Sequence, residues 1–228
     1  FRRVLFRSLA SGMSPIGLGN DVGGSLRNPA HCCGISSIKP TVGVVPWATE
    51  IPPTALNLAF QLMVVEGVMA RRIGDVRLGF DIVRGAPRRD PYSVPADLRG
   101  APIDRKWRVA VLAEPPGGRT DAGIADVVRA AGRSLAAAGH HVEEATPPDY
   151  EECIAMWGST LNSELAIVQP ILEAVMGDGG RTFLGHGREL LGRPDSATMS
   201  AIHMRRFEVG AKWAAWFETY DEIGRAHV

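Results

Sequence analysis

The chain has 228 residues, of which 45% are apolar, and its 25 basic side chains balance its 25 acidic ones. A net charge of zero provides no basic field for a polyanion, so we expect no nucleic-acid partner. The length is enough for one sizeable α/β domain with its own core.

Cysteine content and apolar runs indicate the compartment. The three cysteines, Cys32, Cys33 and Cys153, cannot form a paired framework, and two are adjacent, which favours a reducing, cytoplasmic location. Their spacing relative to histidine does not suit zinc, so no metal is expected. The longest apolar stretch, residues 62–70, is too short to span a bilayer, and the sequence FRRVLFRS leads us to expect no signal peptide. We therefore expect no membrane association.

The two ends of the chain share an unusual relationship. One short DNA can encode RVLFRS at residues 3–8 on one strand and EIGRAHV at residues 222–228 on the other. That DNA resembles a sequencing-library adapter. We therefore expect residues 1–8 and 222–228 to be non-native segments and residues 9–221 to be an internal fragment of a longer domain.

In the first half of the chain, hydrophobic spacing and turn residues predict several elements. Residues 33–46 are β-branched and punctuated by proline and glycine, which favours short strands and turns. In residues 71–85, apolar side chains recur at helical spacing and a glycine ends the pattern, which predicts a helix. Its apolar positions are Ile73, Val76, Phe80 and Val83. Residues 86–106 are rich in proline and charge, which is typical of a surface loop.

The second half begins with a predicted βαβ unit. A strand at 107–112 precedes a helix at 121–139, with Asp121 as its N-cap, and a strand at 140–145 follows. From residue 151 onward the pattern is helical. Apolar side chains of the last helix share one side, which favours a role in the core. They are Ile202, Val209, Trp213, Trp216, Phe217 and Tyr220.

The segment GNDVGGSLRNP, residues 19–29, places Ser25 directly behind two glycines. This serine is either a nucleophile or a polar residue in a tight turn. A dinucleotide fingerprint fails at Val22, and a phosphate-binding loop would need lysine in place of Ser25. A serine-hydrolase elbow would need glycine in place of Arg27.

Two other arrangements that could activate a serine have little support in the sequence. Ser36 to Lys39 has the S-x-x-K spacing of penicillin-recognising enzymes, but Pro40 and the β-branched neighbours favour a strand, in which the two side chains point to opposite faces. The six histidines offer no spacing that pairs one with Ser25 and an acidic residue.

Residues 11–46, SGMSPIGLGNDVGGSLRNPAHCCGISSIKPTVGVVP, resemble the signature region of the amidase signature enzymes. The agreement runs through SP.GLG.D.GGS.R.PA..CG...IKPT.G. Similarity continues through later stretches and covers residues 9–221, which would make them an amidase domain fragment. The resemblance implies an incomplete α/β fold with a mixed β-sheet core flanked by helices. It also implies that Ser25 is the nucleophile that forms an acyl-enzyme.

The same resemblance gives roles to the neighbours of the serine. It implies that the backbone amides of Val22, Gly23 and Gly24 form an oxyanion hole, in which each donor is worth roughly 3–4 kcal/mol. Asp21 and Arg27 would brace the loop through charged hydrogen bonds. The alternative for this pair is a local salt bridge without a catalytic role.

The family's activating groups have no counterpart in the chain. A bridging serine should lie 24 residues before the nucleophile, where Phe1 stands, and the lysine base should lie further upstream. Lys39, Lys106 and Lys212 are the only lysines, and none matches that position. We therefore expect the fragment to be catalytically incomplete and inactive.

The resemblance implies a parent amidase that hydrolyses the C–N bond of a small-molecule carboxylic amide to a carboxylate and ammonia or an amine, without a metal or cofactor. One alternative is the glutaminase subunit of a tRNA-dependent amidotransferase, although Asn28 stands where that kind usually has glutamine. The other alternative is a non-catalytic binding module. The oligomeric state stays open, and a homodimer is one outcome.

Overall fold

The computed structural model describes residues 2–47, 56–95 and 105–225. Two compact units divide the chain, the first at residues 1–100 and the second at 101–228. No helix in the described ranges is both long and apolar enough to cross a bilayer.

The described residues of the first unit form a three-stranded antiparallel sheet and four helices. The strands lie in the spatial order β1-β3-β2, so the central strand is the last in sequence. The strands are β1 (Ile16–Asp21), β2 (Ser36–Ser37) and β3 (Val65–Ala70). The helices are α1 (Arg2–Ala10), α2 (Arg27–Cys33), α3 (Leu58–Met63) and α4 (Ile73–Val83). The pairing of Asp21 with Val65 places the end of β1 beside the start of β3.

Successive residues of β3 serve two separate core clusters because side chains alternate between the faces of a sheet. Met69 packs with Leu26 and with two side chains of α1, Phe6 and Leu9. Val68 and Ala70 pack with Val76 of α4 in the second cluster. Helices therefore cover the sheet on both faces. Phe6 belongs to the segment predicted to be non-native, and that prediction is not tested by its burial.

Helix α4 confirms the helix predicted over residues 71–85. Val76 is fully buried, and Phe80 and Val83 pack against the same cluster. Ile73, in the first turn, is 69% exposed and does not share the buried face. The predicted strand character of residues 33–46 is confirmed only at Ser36 and Ser37; the described part of the 86–106 loop contains no helix or strand.

The second unit contains the predicted βαβ arrangement. Its strands are β4 (Arg108–Leu112), β5 (His141–Glu144) and β6 (Glu222–Arg225), and β4 pairs in parallel with both others. Helix α5 (Ala122–Ala137) connects β4 to β5. The Asp121 carboxylate accepts the N–H of Gly123 at 2.8 Å, as an N-cap does. Gly139 follows the helix at φ +96°, a conformation that favours glycine.

Further helices of the second unit are α6 (Tyr150–Val175), α7 (Asp178–Leu191) and α8 (Ser196–Phe217). Ion pairs join α8 to the start of α6. Arg205 of α8 donates to Glu152 at 2.8 Å and to Asp149 at 3.2 Å, and Lys212 donates to Asp149 at 2.7 Å. Of the apolar positions predicted for the core, Val209 is buried, whereas Phe217 is 42% exposed.

Gly67 of β3 offers a test of the first unit's packing. A Cβ at this position would lie 2.2 Å from the Ile38 carbonyl oxygen and 2.6 Å from Cδ1 of Leu26. We expect Gly67→Ala to destabilise the chain by about 1–3 kcal/mol in urea unfolding, because a backbone atom must shift. Gly74→Ala is the matched control, since no atom lies within 4 Å of the place where its Cβ would lie. Equal stability of the two variants would contradict this packing.

Candidate active site

A buried carboxylate organises the loop between β1 and α2. Asp21, the last residue of β1, is fully buried. Its Oδ1 accepts the N–H of Gly24 at 2.6 Å, and its Oδ2 accepts the N–H of Leu26 at 3.1 Å. The loop therefore folds around the carboxylate, with Ser25 between the two donating residues.

Arg27, the first residue of α2, closes the other side of this carboxylate. Its Nε donates to Oδ2 of Asp21 at 3.0 Å, and one of its terminal nitrogens donates to Oδ1 at 3.0 Å. Two parallel charged hydrogen bonds fix the guanidinium plane as well as its position. The structure thus brings together the two charged residues that the sequence singles out.

These contacts determine the charge of Asp21. Burial by itself raises the pKa of this carboxyl, because it disfavours the charged form. The hydrogen bonds from Arg27, Gly24 and Leu26 outweigh burial and lower the pKa of Asp21 from 3.8 to about 2. The carboxylate is therefore anionic throughout the physiological pH range.

The backbone conformation of residue 24 explains why this position is a glycine. Its φ is +111°, a region that side-chain-bearing residues rarely adopt. This conformation accompanies the 2.6 Å hydrogen bond from the Gly24 N–H to Asp21. Of the three amides assigned to an oxyanion hole from the sequence, this one is directed at Asp21 in the structure.

Ser25 is held from both sides and is half-buried. Leu26, the next residue, has no exposed surface and packs in the cluster of Phe6, Leu9 and Met69. Within the described part of the chain, the Ser25 hydroxyl has no hydrogen-bond partner. The loop therefore fixes the serine backbone without engaging its side chain.

Lys39 follows β2, and the charges of Arg27 and Asp21 act on the pKa of its amine. The Ile38 N–H donates to the Val68 carbonyl at 3.1 Å, which extends the β2–β3 pairing toward Lys39. Although Lys39 has exposed surface, desolvation and then the Arg27 charge lower the pKa of its amine, while Asp21 opposes them. Because residues 36–37 form a strand, the S-x-x-K arrangement on one helical face is absent here.

In the ranges 2–47, 56–95 and 105–225, no group of three or more metal-ligating side chains is arranged to hold an ion.

Comparisons with known proteins identify the family. A family model described as Amidase matches residues 8–219. The chain belongs to the amidase family. It is 32% identical over 218 residues to an indoleacetamide hydrolase of Bradyrhizobium japonicum, covering 95% of this chain and 47% of that protein. It is 34% identical over 161 residues to an enantioselective amidase of Rhodococcus rhodochrous, covering 65% of this chain and 29% of the relative.

Solved structures confirm the fold class predicted from the sequence. The substrate complex of 6-aminohexanoate cyclic dimer hydrolase superposes with a TM-score of 0.71 at 22% identity, covering 94% of this chain and 47% of that one. A bacterial aryl acylamidase of the amidase signature family superposes with a TM-score of 0.70 at 20% identity, covering 95% and 46%. The chain thus spans about half the length of these proteins.

Loss of the Asp21 charge provides a test of the loop. We expect Asp21→Asn to lower the free energy of unfolding by at least about 2 kcal/mol, because an amide nitrogen would face backbone donors and Arg27 would lose its partner. Asp178→Asn is the matched control, since that side chain is 99% exposed. The measurement is urea unfolding of the three proteins.

The stability difference between the wild type and Asp21→Asn should depend on pH. Because the pKa of Asp21 is lower in the folded state, its stabilisation is present above about pH 4 and is lost as pH falls through about 2. The stability difference between the wild type and Asp21→Asn should therefore shrink between about pH 5 and pH 2. A difference that stays constant over this range would contradict the assigned charge.

Proposed function

We propose that this chain carries the nucleophile-bearing part of an amide hydrolase, with Ser25 as the nucleophile. The observation that supports this most is the Asp21 loop, which fixes the backbone on both sides of Ser25 and leaves its hydroxyl without a partner among the described residues. A rigid backbone with a free hydroxyl is suited to attack on a carbonyl carbon. Membership of the amidase family supports the same reaction.

In the proposed reaction, Ser25 Oγ attacks the amide carbonyl and forms a tetrahedral intermediate with a negative oxygen. Backbone N–H groups at Val22 and Gly23 are the proposed donors to that oxygen. The Gly24 N–H donates to Asp21 in the structure, so its part would require sharing between two acceptors. Collapse expels the amine or ammonia and leaves an acyl-enzyme, which water then hydrolyses to the carboxylate.

The proposal requires a base, and the resemblance assigns that role to no residue of the chain. A serine hydroxyl is a weak nucleophile at neutral pH unless another group accepts its proton. The resemblance places the bridging serine and the lysine upstream of the matched region, and the lysine nearest in sequence to the loop, Lys39, does not occupy either position. We therefore propose that the fragment is catalytically incomplete.

Small-molecule amides are the proposed substrates. Relatives of the chain have names that specify an indoleacetamide, an enantioselective amidase and a cyclic dimer of 6-aminohexanoate. The second candidate, a glutaminase that works with partner subunits, is supported by a glutamyl-tRNA(Gln) amidotransferase component from Deinococcus radiodurans that is 33% identical over 160 residues. That match covers 66% of this chain, whereas the indoleacetamide hydrolase match covers 95%.

The nucleophile is tested in the protein extended with the parent's upstream sequence. Ser25→Ala should lower amide turnover by at least about 10³-fold, because no acyl-enzyme can form. It should also abolish labelling by a fluorophosphonate. Ser11→Ala, at an exposed serine of the same unit, is the matched control and should retain both activities. Turnover within tenfold of the parent in Ser25→Ala would reject the assignment, and an inert Ser25 would favour a binding module.

The incompleteness is tested on the 228-residue chain itself. We expect no ammonia release from simple aliphatic and aryl amides that depends on Ser25, since the proton acceptor is missing. The extended protein, assayed in parallel, should release ammonia. If the short chain hydrolyses amides and Ser25→Ala removes that activity, the chain is not catalytically incomplete. Lys39→Met would then test whether Lys39, the lysine of the first unit, acts as the base.

A further inference from the structure

The parallel sheet of the second unit takes one strand from a segment that we expect to be non-native. In this sheet β4 lies between β5 and β6. Strand β6 (Glu222–Arg225) lies wholly within residues 222–228, the segment whose coding relationship to residues 3–8 led to that expectation. On that expectation, residues foreign to the domain occupy one edge of β4.

The residue before β6 fixes where this strand runs. The Asp221 N–H donates to the Arg108 carbonyl at 2.8 Å, and the Arg108 N–H donates back to Oδ2 of Asp221 at 2.9 Å. Arg105 holds the same carboxylate, with one terminal nitrogen donating to Oδ2 at 2.9 Å and the other to Oδ1. The next residue, Glu222, then pairs with Val109. These contacts direct whatever segment follows Asp221 along β4.

Aromatic contacts hold the same entry point. The ring centroid of Tyr220 lies 4.3 Å from that of Trp216 in α8, and the Arg108 guanidinium carbon lies 5.5 Å from the Tyr220 centroid. Both kinds of contact favour a defined orientation of the ring. The start of the added strand is therefore fixed by residues that lie before the segment expected to be non-native.

The sequence of β6 does not match the strand that it joins. Successive side chains of β4 point to opposite faces, and the four from Val109 to Leu112 are each 6% exposed or less. Strands beside such a strand in a buried parallel sheet are near-continuous apolar runs. The sequence of β6 is EIGR, in which Ile223 is the one large apolar residue.

Gly224 leaves a position beside β4 without a side chain. It pairs with Val111, and residues paired across strands share a face of the sheet. Helix α5 packs on that face, since a Cβ at its Gly132 would lie 3.0 Å from Cγ2 of Val111. Apart from chain neighbours, no heavy atom of the described residues lies within 4 Å of the place where a Gly224 Cβ would lie. The sheet thus has room for an apolar side chain at this position.

We propose that the edge of β4 beside β6 is an acceptor site for an apolar parallel strand, that Asp221 sets the register of this strand, and that the occupant is the parent segment directly after Asp221. Residues 222–225 occupy the site as a poorly matched substitute. A β-branched side chain in place of Gly224 would pack against Val111 and favour the strand conformation. The proposal is independent of the role of Ser25, which lies in the other unit.

Hydrogen exchange at the backbone amides of β6, measured by NMR on the 228-residue chain, tests the preference for an apolar strand. Protection is expressed relative to an unstructured peptide of the same sequence. We expect Gly224→Val to raise the protection of β6 about fivefold or more, because the open form becomes less populated. Unchanged or lower protection would overturn the proposal.

Gly177→Val is the matched control for this substitution. The backbone of Gly177 is extended, with φ −75° and ψ 173°, but it belongs to no strand. No described heavy atom lies within 4 Å of the place where its Cβ would lie. This variant should leave the protection of β6 as in the wild type, and an increase equal to that in Gly224→Val would overturn the proposal.

A second variant tests the register contact. Asp221→Asn should lower the protection of β6 about fivefold or more, because Arg105 loses its charged partner, and should change that of β5 by less than about twofold. Asp178→Asn, at a side chain that is 99% exposed, is the control and should change neither. Equal losses in β5 and β6, or no loss in β6, would overturn the role of Asp221.

The parent gene tests the occupant. The residues encoded directly after Asp221 should be mostly apolar and rich in β-branched side chains. When they replace residues 222–228, amides of the new strand should be protected about tenfold or more beyond those of β6. A parent that continues with EIGRAHV, with a run of charged residues or with an immediate proline would overturn the proposal, as would protection no higher than that of β6.

Discussion

The buried carboxylate of Asp21 is the constraint on which the candidate site depends. A charge without solvent is stable in a protein only when it is paired and hydrogen-bonded. Asp21 is paired with the Arg27 side chain and accepts the backbone N–H groups of Gly24, Leu26 and Arg27. The loop cannot relax away from this arrangement without leaving an anion buried and unpaired. The position of Ser25, between the two donating residues, is therefore fixed by electrostatics rather than by contacts of its own side chain.

Packing holds the same loop from the opposite direction. Leu26 lies under the loop with no exposed surface, and its methyl groups occupy space that Gly19 and Gly67 leave open on the paired strands. Its Cδ2 is 3.2 Å from the place where a Gly19 Cβ would lie. The glycines of β1 and β3 thus permit a large side chain to sit directly on the sheet. Electrostatic attachment at Asp21 and apolar attachment at Leu26 together leave the intervening serine little freedom.

Local signals in the sequence predicted some parts of this structure and not others. Helices α4 and α5 follow from apolar spacing and from end signals such as Asp121, because those features act within a few residues. The loop was identifiable by its motif, but the direction of the Gly24 N–H depends on a φ of +111° that no pattern specifies. The hydrogen bond from the Trp47 N–H to Asp90 was not predicted, since the two residues lie 43 residues apart.

Two buried aspartates of the first unit, Asp21 and Asp90, each accept several backbone N–H groups. Backbone N–H groups in irregular segments have no helix or strand partner and need other acceptors. Asp21 accepts from residues of the serine loop, and the buried Asp90 accepts the N–H groups of Trp47 and Tyr92. A buried aspartate can satisfy several such donors at once because a carboxylate has about four acceptor positions. The two carboxylates thereby give fixed shapes to two irregular segments of the first unit.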